Sequence, residues 1–416
     1  MKDKKQNKRI NGGHRLLFFC ILCLFGLYVA VSYAEEQPQR EQSKTKVILL
    51  HTDNLTYDQY RHPGAQILTG NVQFQHDGVL MYCDSACFYE ATNSFDAFGH
   101  VKMVQGDTLD LVGDMLLYNG LDQLARVRHN VVLTHRESKL YTDSLDYDRL
   151  YELGYFFEGG KLVDKDNVLT SDWGQYSPPT RQAVFNYNVK LENPKFTLIS
   201  DTLNYNTLTS MAEIVGPSNI DSGDNHIYSE SGFYNTQTEE AILLDRSIVT
   251  NKGRKMVGDS LYYDSKSGVG EGFRNVVYTD EVNKNMLTGN YCYYNDSTGY
   301  SMATDSAVAI DYSQRDTMYM HADTFKVYTF YMDTDSMYRE VRGYHKVRSY
   351  RMDVQSVCDS LVFDSRDTCI TMYRDPIVWN GGQQVLGEEI KVYLNDSTID
   401  RIHVIDQTLS VDRIDS

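Results

Sequence analysis

Residues Thr142–Asp148 read Thr-Asp-Ser-Leu-Asp-Tyr-Asp, and this phrase returns along the chain with small changes. It recurs at Ser200–Asn206, Gly258–Asp264 and Cys358–Asp364. When the Asp slot sets the phase, weaker copies fill the gaps, and five consecutive intervals between positions 114 and 259 equal 29 residues. A fixed period of this length indicates a repeat array, in which each unit buries its apolar face against its neighbours.

A second phrase keeps the same period and consists of a Gly or Asn followed by a short β-branched run. Gly99–Val101 and Arg274–Val276 are examples, and Asn- and Thr-rich turns such as Tyr205–Thr209 separate the phrases. Alternation of apolar and polar residues along both phrases predicts two antiparallel strands per unit. About twelve units therefore predict an all-β fold of roughly two dozen strands. We expect an elongated, folded antiparallel sheet that bends at the Gly or Asn of every unit into a V or an open roll.

The N-terminus has the composition of a targeting segment. Six basic residues precede or flank the apolar run Leu16–Val31, and Ser32–Ala34 provides the small residues of a cleavage site. The sequence therefore predicts a signal peptide or an uncleaved membrane anchor at 1–34. The regular repeats are expected at 35–310, and a looser continuation or second sub-array at 311–416, where the spacing lengthens.

Charge and cysteine usage exclude several classes of protein. Without residues 1–34 the chain carries 34 basic and 56 acidic side chains, a net charge of −22. This balance argues against nucleic-acid binding, which requires a basic face. The five remaining cysteines, an odd number, show no CxxC spacing, so we expect no disulfide framework and predict that they are buried as small apolar residues.

No motif of catalysis, metal binding or cofactor binding stands out. The recurring Asp, as at Asp143 and Asp201, supplies one carboxylate per unit, whereas a calcium site needs several converging oxygens. We therefore interpret it as a residue that bonds the backbone near a strand. Gly268–Gly272 resembles a phosphate-binding loop but lacks a following helix, so it is expected to be a flexible hairpin turn. The prediction is a protein with no catalytic residues, no metal and no cofactor.

The inward face of the repeat is the candidate site. Equivalent positions of successive units are apolar, and they line either a dry core or an open groove that runs along the array. The candidate lining residues of this face are Val72, Phe74, Val101, Met103, Val131, Leu133, Leu145, Tyr147, Val189, Leu191, Leu203, Tyr205, Leu261, Tyr263 and Val276.

The repeat resembles the OstA-like family, which includes the lipopolysaccharide-transport proteins LptA, LptC and the N-terminal domain of LptD. The resemblance is carried by phrases such as Leu68–Val72, each followed by Asp-Ser-Leu-x-Tyr, and it covers residues 45–310 well and 311–410 loosely. It implies an open β-jellyroll in the periplasm, anchored to the inner membrane or associated with the outer membrane, that passes lipopolysaccharide towards the outer membrane. It also implies Lpt-type partners that join by edge-strand addition, and head-to-tail self-association.

Two other interpretations remain open from the residues alone. A β-solenoid enzyme acting on polysaccharide needs a pair of carboxylates on an exposed face, and the sequence singles out none. A surface adhesin or structural repeat protein needs a filled core without a groove.

Overall fold

The computed structural model describes residues 45–313, 315–332, 334–395 and 398–412. The predicted targeting segment at 1–34 lies outside these residues. Among those described, no helix has the length and apolar character needed to span a membrane.

The described chain is almost entirely β-structure. One short 3-10 helix, Glu90–Thr92, interrupts the strands. The strands are β1 (Ile48–His51), β2 (Asn54–Tyr57), β3 (Gln66–His76), β4 (Val79–Tyr89), β5 (Ser94–Gln105), β6 (Leu109–Asn119), β7 (Leu124–His135), β8 (Ser138–Asp148), β9 (Leu153–Phe156), β10 (Gly160–Asp164), β11 (Asn167–Ser171), β12 (Trp173–Ser177), β13 (Gln182–Asn193), β14 (Phe196–Asn206), β15 (Met211–Ser222), β16 (Asn225–Asn235), β17 (Glu240–Leu244), β18 (Ile248–Asn251), β19 (Arg254–Val257), β20 (Ser260–Asp264), β21 (Val269–Asp280), β22 (Asn285–Asn295), β23 (Tyr300–Asp311), β24 (Met318–Phe330), β25 (Tyr338–Tyr350), β26 (Val354–Asp364), β27 (Cys369–Tyr373), β28 (Ile377–Asn380), β29 (Gln383–Leu386), β30 (Glu389–Asn395), β31 (Thr398–Ile405) and β32 (Leu409–Asp412).

These strands form one antiparallel sheet, which confirms the predicted fold class. The long sequential strands pair with each other, as β3 does with β4, whereas short strands of one unit pair with other strands, as β17 does with β16 and β20. The count of 32 strands exceeds the predicted two dozen because several units split into two short strands at the bend, as β17 and β18 do. The sheet also runs through position 311 without a break, since β23 pairs with β24 over ten residue pairs.

A column of β-bulges bends the sheet along one line, which we call the fold line. Pairing shifts between Val112 and Met115 and between Asn186 and Val189, and comparable shifts occur in the other long hairpins. Two consecutive residues there have positive φ, for example Tyr187 (64°) and Asn188 (52°). Asn tolerates this left-handed conformation better than most residues. The Asn or Gly of the second repeat phrase therefore sets the bend.

The bend brings the two ends of every hairpin together and encloses the apolar side chains between two layers. The buried residues form one continuous cluster from Val47 to Val392. The line where the two sets of hairpin turns face each other, opposite the fold line, is called the mouth. The hydrophobic core therefore runs continuously along the array, and each unit contacts mainly its neighbours.

The prediction for Gly268–Gly272 is wrong for most of its length. Only Gly268, with φ of 67°, lies in the turn, and β21 begins at Val269. Gly270 and Gly272 are inward-facing strand residues, because they pair with Tyr294 and Cys292 of β22. Glycine-rich segments are common in turns, but this one belongs mostly to a strand of the sheet's inner face.

Candidate functional site

The recurring Asp residues lie along the fold line and hold the bulges. Asn130 donates its side-chain amide to Asp114 at 2.7 Å, and Asn188 donates to Asp172 at 2.6 Å. The same contact between residues 16 apart recurs in other units, at Asp84–His100 and Asp259–Asn275. The Asp column therefore bonds the neighbouring strand at the bend, as an element of the repeat's own architecture.

The mouth of the N-terminal units is closed by polar contacts, several of them buried, which we call latch bonds. The Tyr205 hydroxyl donates to Asp164 at 2.8 Å, and Asn167 donates to the Tyr205 hydroxyl at 2.9 Å. The ring nitrogen Nδ1 of His135 lies 2.8 Å from the Tyr176 hydroxyl. Further latch bonds are His76–Tyr118, Asp77–Gln123, Gln105–Glu152, Lys165–Ser210 and Lys195–Glu239. The repeated Tyr of the first phrase therefore connects the two edges of the mouth.

All fifteen candidate lining residues are found in the shared core. Each is at most 7% exposed. The structure thus brings the whole set together on the inward face, as the alternation predicts. Their contact with a lipid stays a prediction.

The inward face becomes partly exposed in the C-terminal half, and we call this part the trough. Leu287, Ala309 and Met320 pack against the core but are only partly buried, and they are neighbours on β22, β23 and β24. The partly buried apolar residues of this half that pack against the core are Tyr278, Leu287, Tyr294, Ala309, Met318, Met320, Val341, Ile370, Val385, Leu394, Ile399, Ile402 and Val404. Sequence reasoning missed these residues because its list of lining positions ended at Val276. The crowding of Met and Tyr after position 311 was the available signal.

Small residues occupy one inward position of the later units. The inward position just before the bulge holds Phe185 in β13 and Ile214 in β15. In later units the same position holds Gly272, Ala303 and Gly343. Neighbouring side chains fill the space beside the glycines, since a Cβ on Gly272 would lie 2.8 Å from Val276 and one on Gly343 would lie 3.0 Å from Phe325. These positions are therefore close-packed beside the fold line.

The titratable groups inside the roll are shifted towards their neutral forms. Burial raises the pKa of the Cys83, Cys292 and Cys358 thiols to about 12. Burial also lowers the pKa of His135. The cysteines are free, and Cys87 and Cys369 are only half-buried, so the expectation of burial is confirmed for three of five. Within the described ranges, no group of three or more His, Cys, Asp or Glu side chains is arranged to hold a metal ion.

Comparison with solved structures finds ten matching chains. The chain is similar to LptH from Pseudomonas aeruginosa, described as the LptA-homologous periplasmic component of the conserved lipopolysaccharide transport device. The identity is 14% and the TM-score 0.21, over 39% of this chain and 95% of that one. No curated protein matches the sequence.

The family comparison covers more of the chain. The model of the OstA-like protein family matches residues 44–201 and 195–259. These overlapping segments span more than half of the 416 residues. They contain the fold line, the latch bonds and the regular 29-residue repeats described above. The chain belongs to the OstA-like family.

Proposed function

We propose that this protein is a periplasmic bridge that binds lipopolysaccharide by its acyl chains and passes it towards the outer membrane. The observation that carries the proposal is the trough, a continuous apolar inner face that is partly open to solvent. Membership of the OstA-like family supports it. The similar LptH protein is itself described as a component of a lipopolysaccharide transport device.

The physical basis is the transfer of hydrocarbon from water to an apolar surface. Each buried methylene contributes about 0.8 kcal/mol, so about ten methylenes in the trough contribute roughly 8 kcal/mol before the costs of association. The trough offers Met318 and Met320, whose flexible thioether side chains adapt to irregular apolar partners. No bond needs to be made or broken, so the proposed activity is carriage without catalysis.

The ends of the described sheet fit assembly with other copies or transport components by strand addition. Within the described residues, β1 and β2 pair only with β3, whereas β32 pairs only with β29. Ile48 and Leu50 are about half-exposed at one end, as are Leu409 and Val411 at the other. Unpaired backbone groups beside exposed apolar side chains favour pairing with a further strand. The domain division at 310 and the export segment at 1–34 remain part of the proposal.

Two adjacent substitutions test the proposal. Met320 faces the trough, and Tyr319 faces outward on the same strand and is 46% exposed. Met320→Glu places a carboxylate where an acyl chain would lie, and burying an unpaired charge in an apolar site is strongly unfavourable. Tyr319→Glu is the matched control, since it adds the same charge on the opposite face.

The full-length chain is expressed in Gram-negative cells, purified from the periplasmic and membrane fractions, and assayed for bound lipopolysaccharide by mass spectrometry. We expect lipopolysaccharide on the wild type and on Tyr319→Glu, and at least a tenfold loss on Met320→Glu. Absence of lipopolysaccharide from the wild type, or equal amounts on both variants, contradicts the proposal.

A further inference from the structure

The outer face beside the trough carries a row of aromatic rings across neighbouring strands. The Tyr293 and Tyr300 ring centroids are 5.9 Å apart, and those of Tyr300 and Tyr328 are 5.2 Å apart. Phe330 and Tyr338 stack at 4.8 Å at the turn that joins β24 to β25. We call this row, together with the cations over it, the lip platform, since it borders the mouth.

The repeat does not need aromatic residues at this place. The residue after Tyr328 makes the same kind of backbone hydrogen bond, to a neighbouring turn, as the residues after Asn206 and Asn235 make in earlier units. Tyr328 therefore occupies the position that those two Asn residues hold. Those Asn side chains accept hydrogen bonds from turn amides at 2.9 Å, from Leu208 and Gln237 respectively. Tyr cannot accept from the turn in the same way, so its presence serves something other than the turn.

Positive charge accompanies the rings in a chain that is acidic overall. Two cations, Lys326 and Arg342, lie over rings of this outer face, although the whole chain has a net charge of −17. The Arg342 guanidinium lies 5.0 Å from the centre of the Tyr328 ring, and Lys326 lies 5.6 Å from that of Tyr344. Glu340 accepts a hydrogen bond from Arg342. Flat ring faces, planar cations and a carboxylate together suit a ligand with both sugar rings and anionic groups.

The platform and the trough lie on opposite faces of the same two strands. Val341 faces the trough and Arg342, the next residue, faces outward, because side chains alternate along a strand. A molecule whose hydrocarbon lies in the trough therefore leaves the mouth over the turn after Phe330. Its polar end then meets the outer face of β24 and β25.

We propose that the lip platform binds the phosphorylated oligosaccharide of the glycolipid whose acyl chains occupy the trough. The sugar rings stack on Tyr300, Tyr328 and Tyr338, and the phosphates meet Lys326 and Arg342. This assignment rests on the proposed function, which names lipopolysaccharide as the molecule that carries the saccharide. It also places cations where an acidic protein must meet an anionic head group.

The test uses the full-length protein and a saccharide without lipid. Lipopolysaccharide is completely deacylated with alkali, which leaves the phosphorylated oligosaccharide, and part of that material is dephosphorylated. Binding is measured by isothermal titration calorimetry for the wild type and for the double variant Tyr328→Asn/Arg342→Gln. Tyr328→Asn restores the residue that earlier units use at this position, so folding is preserved. Arg126→Gln, an exposed outer-face cation of β7 paired with Asp146, is the charge-matched control.

We expect the wild type and Arg126→Gln to bind the phosphorylated saccharide equally, and the double variant to bind at least tenfold more weakly. Dephosphorylation and added salt should each weaken binding to the wild type. Absence of binding, or equal binding by the double variant, overturns the inference. Met320→Glu separates the two proposals: it should lose bound lipopolysaccharide and still bind the free saccharide. If lipopolysaccharide is bound but free saccharide is not, only the platform assignment fails.

Discussion

The Tyr205 latch bond offers a quantitative test of how the roll is held closed. Tyr205 is fully buried, and its hydroxyl donates to Asp164, which is 1% exposed. Tyr205→Phe keeps the ring and removes the hydroxyl, so the carboxylate loses one of its donors. Ser138 still donates to Asp164 at 2.8 Å, and Asn167 still donates to Thr236 at 2.9 Å.

The expected cost follows from the charge and burial of the acceptor. Hydrogen bonds to charged groups contribute about 1.5–3 kcal/mol, and a buried acceptor left without its donor pays its desolvation penalty. Since Ser138 still compensates Asp164 in part, we expect Tyr205→Phe to lower the free energy of unfolding by about 2 kcal/mol. In a repeat array this loss should concentrate in the nearest units.

The assay is urea unfolding followed by far-ultraviolet circular dichroism, with hydrogen exchange to locate the loss. Tyr228→Phe is the control, because the Tyr228 hydroxyl also donates to a carboxylate, that of Glu230, at 2.6 Å, but on the exposed surface. We expect about 0–0.5 kcal/mol for the control, as for other solvent-exposed polar pairs. A loss below about 0.5 kcal/mol in Tyr205→Phe, or equal losses in both variants, refutes the reasoning that burial makes the latch strong.

Three further outcomes follow from the fold line and the buried groups. Gly99→Ala should destabilise the protein by about 1–3 kcal/mol and more than Gly106→Ala. Both glycines have positive φ, but only at Gly99 would the new Cβ collide with the Asp84 carboxylate. Thermal melting of the two variants decides this, and equal melting temperatures contradict it. Burial lowers the pKa of His135, so its neutral form stabilises the fold above pH about 6.5, and this stability is lost as pH falls towards the lowered pKa. The free energy of unfolding of His135→Gln should therefore change less between pH 7 and pH 5 than that of the wild type. An unchanged pH dependence counts against this. Burial raises the pKa of the Cys292 thiol to about 12. Iodoacetamide at pH 8 should therefore label the half-buried Cys87 before it labels Cys292. Labelling of Cys292 before Cys87 is incompatible with the closed inner face.

The 29-residue period made the strand pairing predictable. Leu145 and Tyr147 alternate with polar residues, and every residue of that phrase recurs at the same phase. Local alternation fixes which side of a strand is buried, and short turns fix antiparallel neighbours. The fifteen residues from Val72 to Val276 that the alternation places on the inward face are buried in the core, and their role as a lining for lipid stays a prediction. Glycine is common in turns, which is why the sequence predicts a turn at Gly270 and Gly272. In the sheet, a Cβ on Gly270 would meet the Tyr294 ring and one on Gly272 would meet Val276.

The sequence alone determined the repeat, its strands, its bend and the family resemblance, because each depends on residues close together in the chain. Only the tertiary structure decided where the roll is closed and where it opens. The latch bonds join residues such as Asp164 and Tyr205, 41 positions apart, which meet only after the sheet folds. The trough likewise combines residues of different strands, since Leu287, Ala309 and Met320 lie side by side on β22, β23 and β24. Packing across two layers is a property of the assembled sheet, so no single repeat contains it.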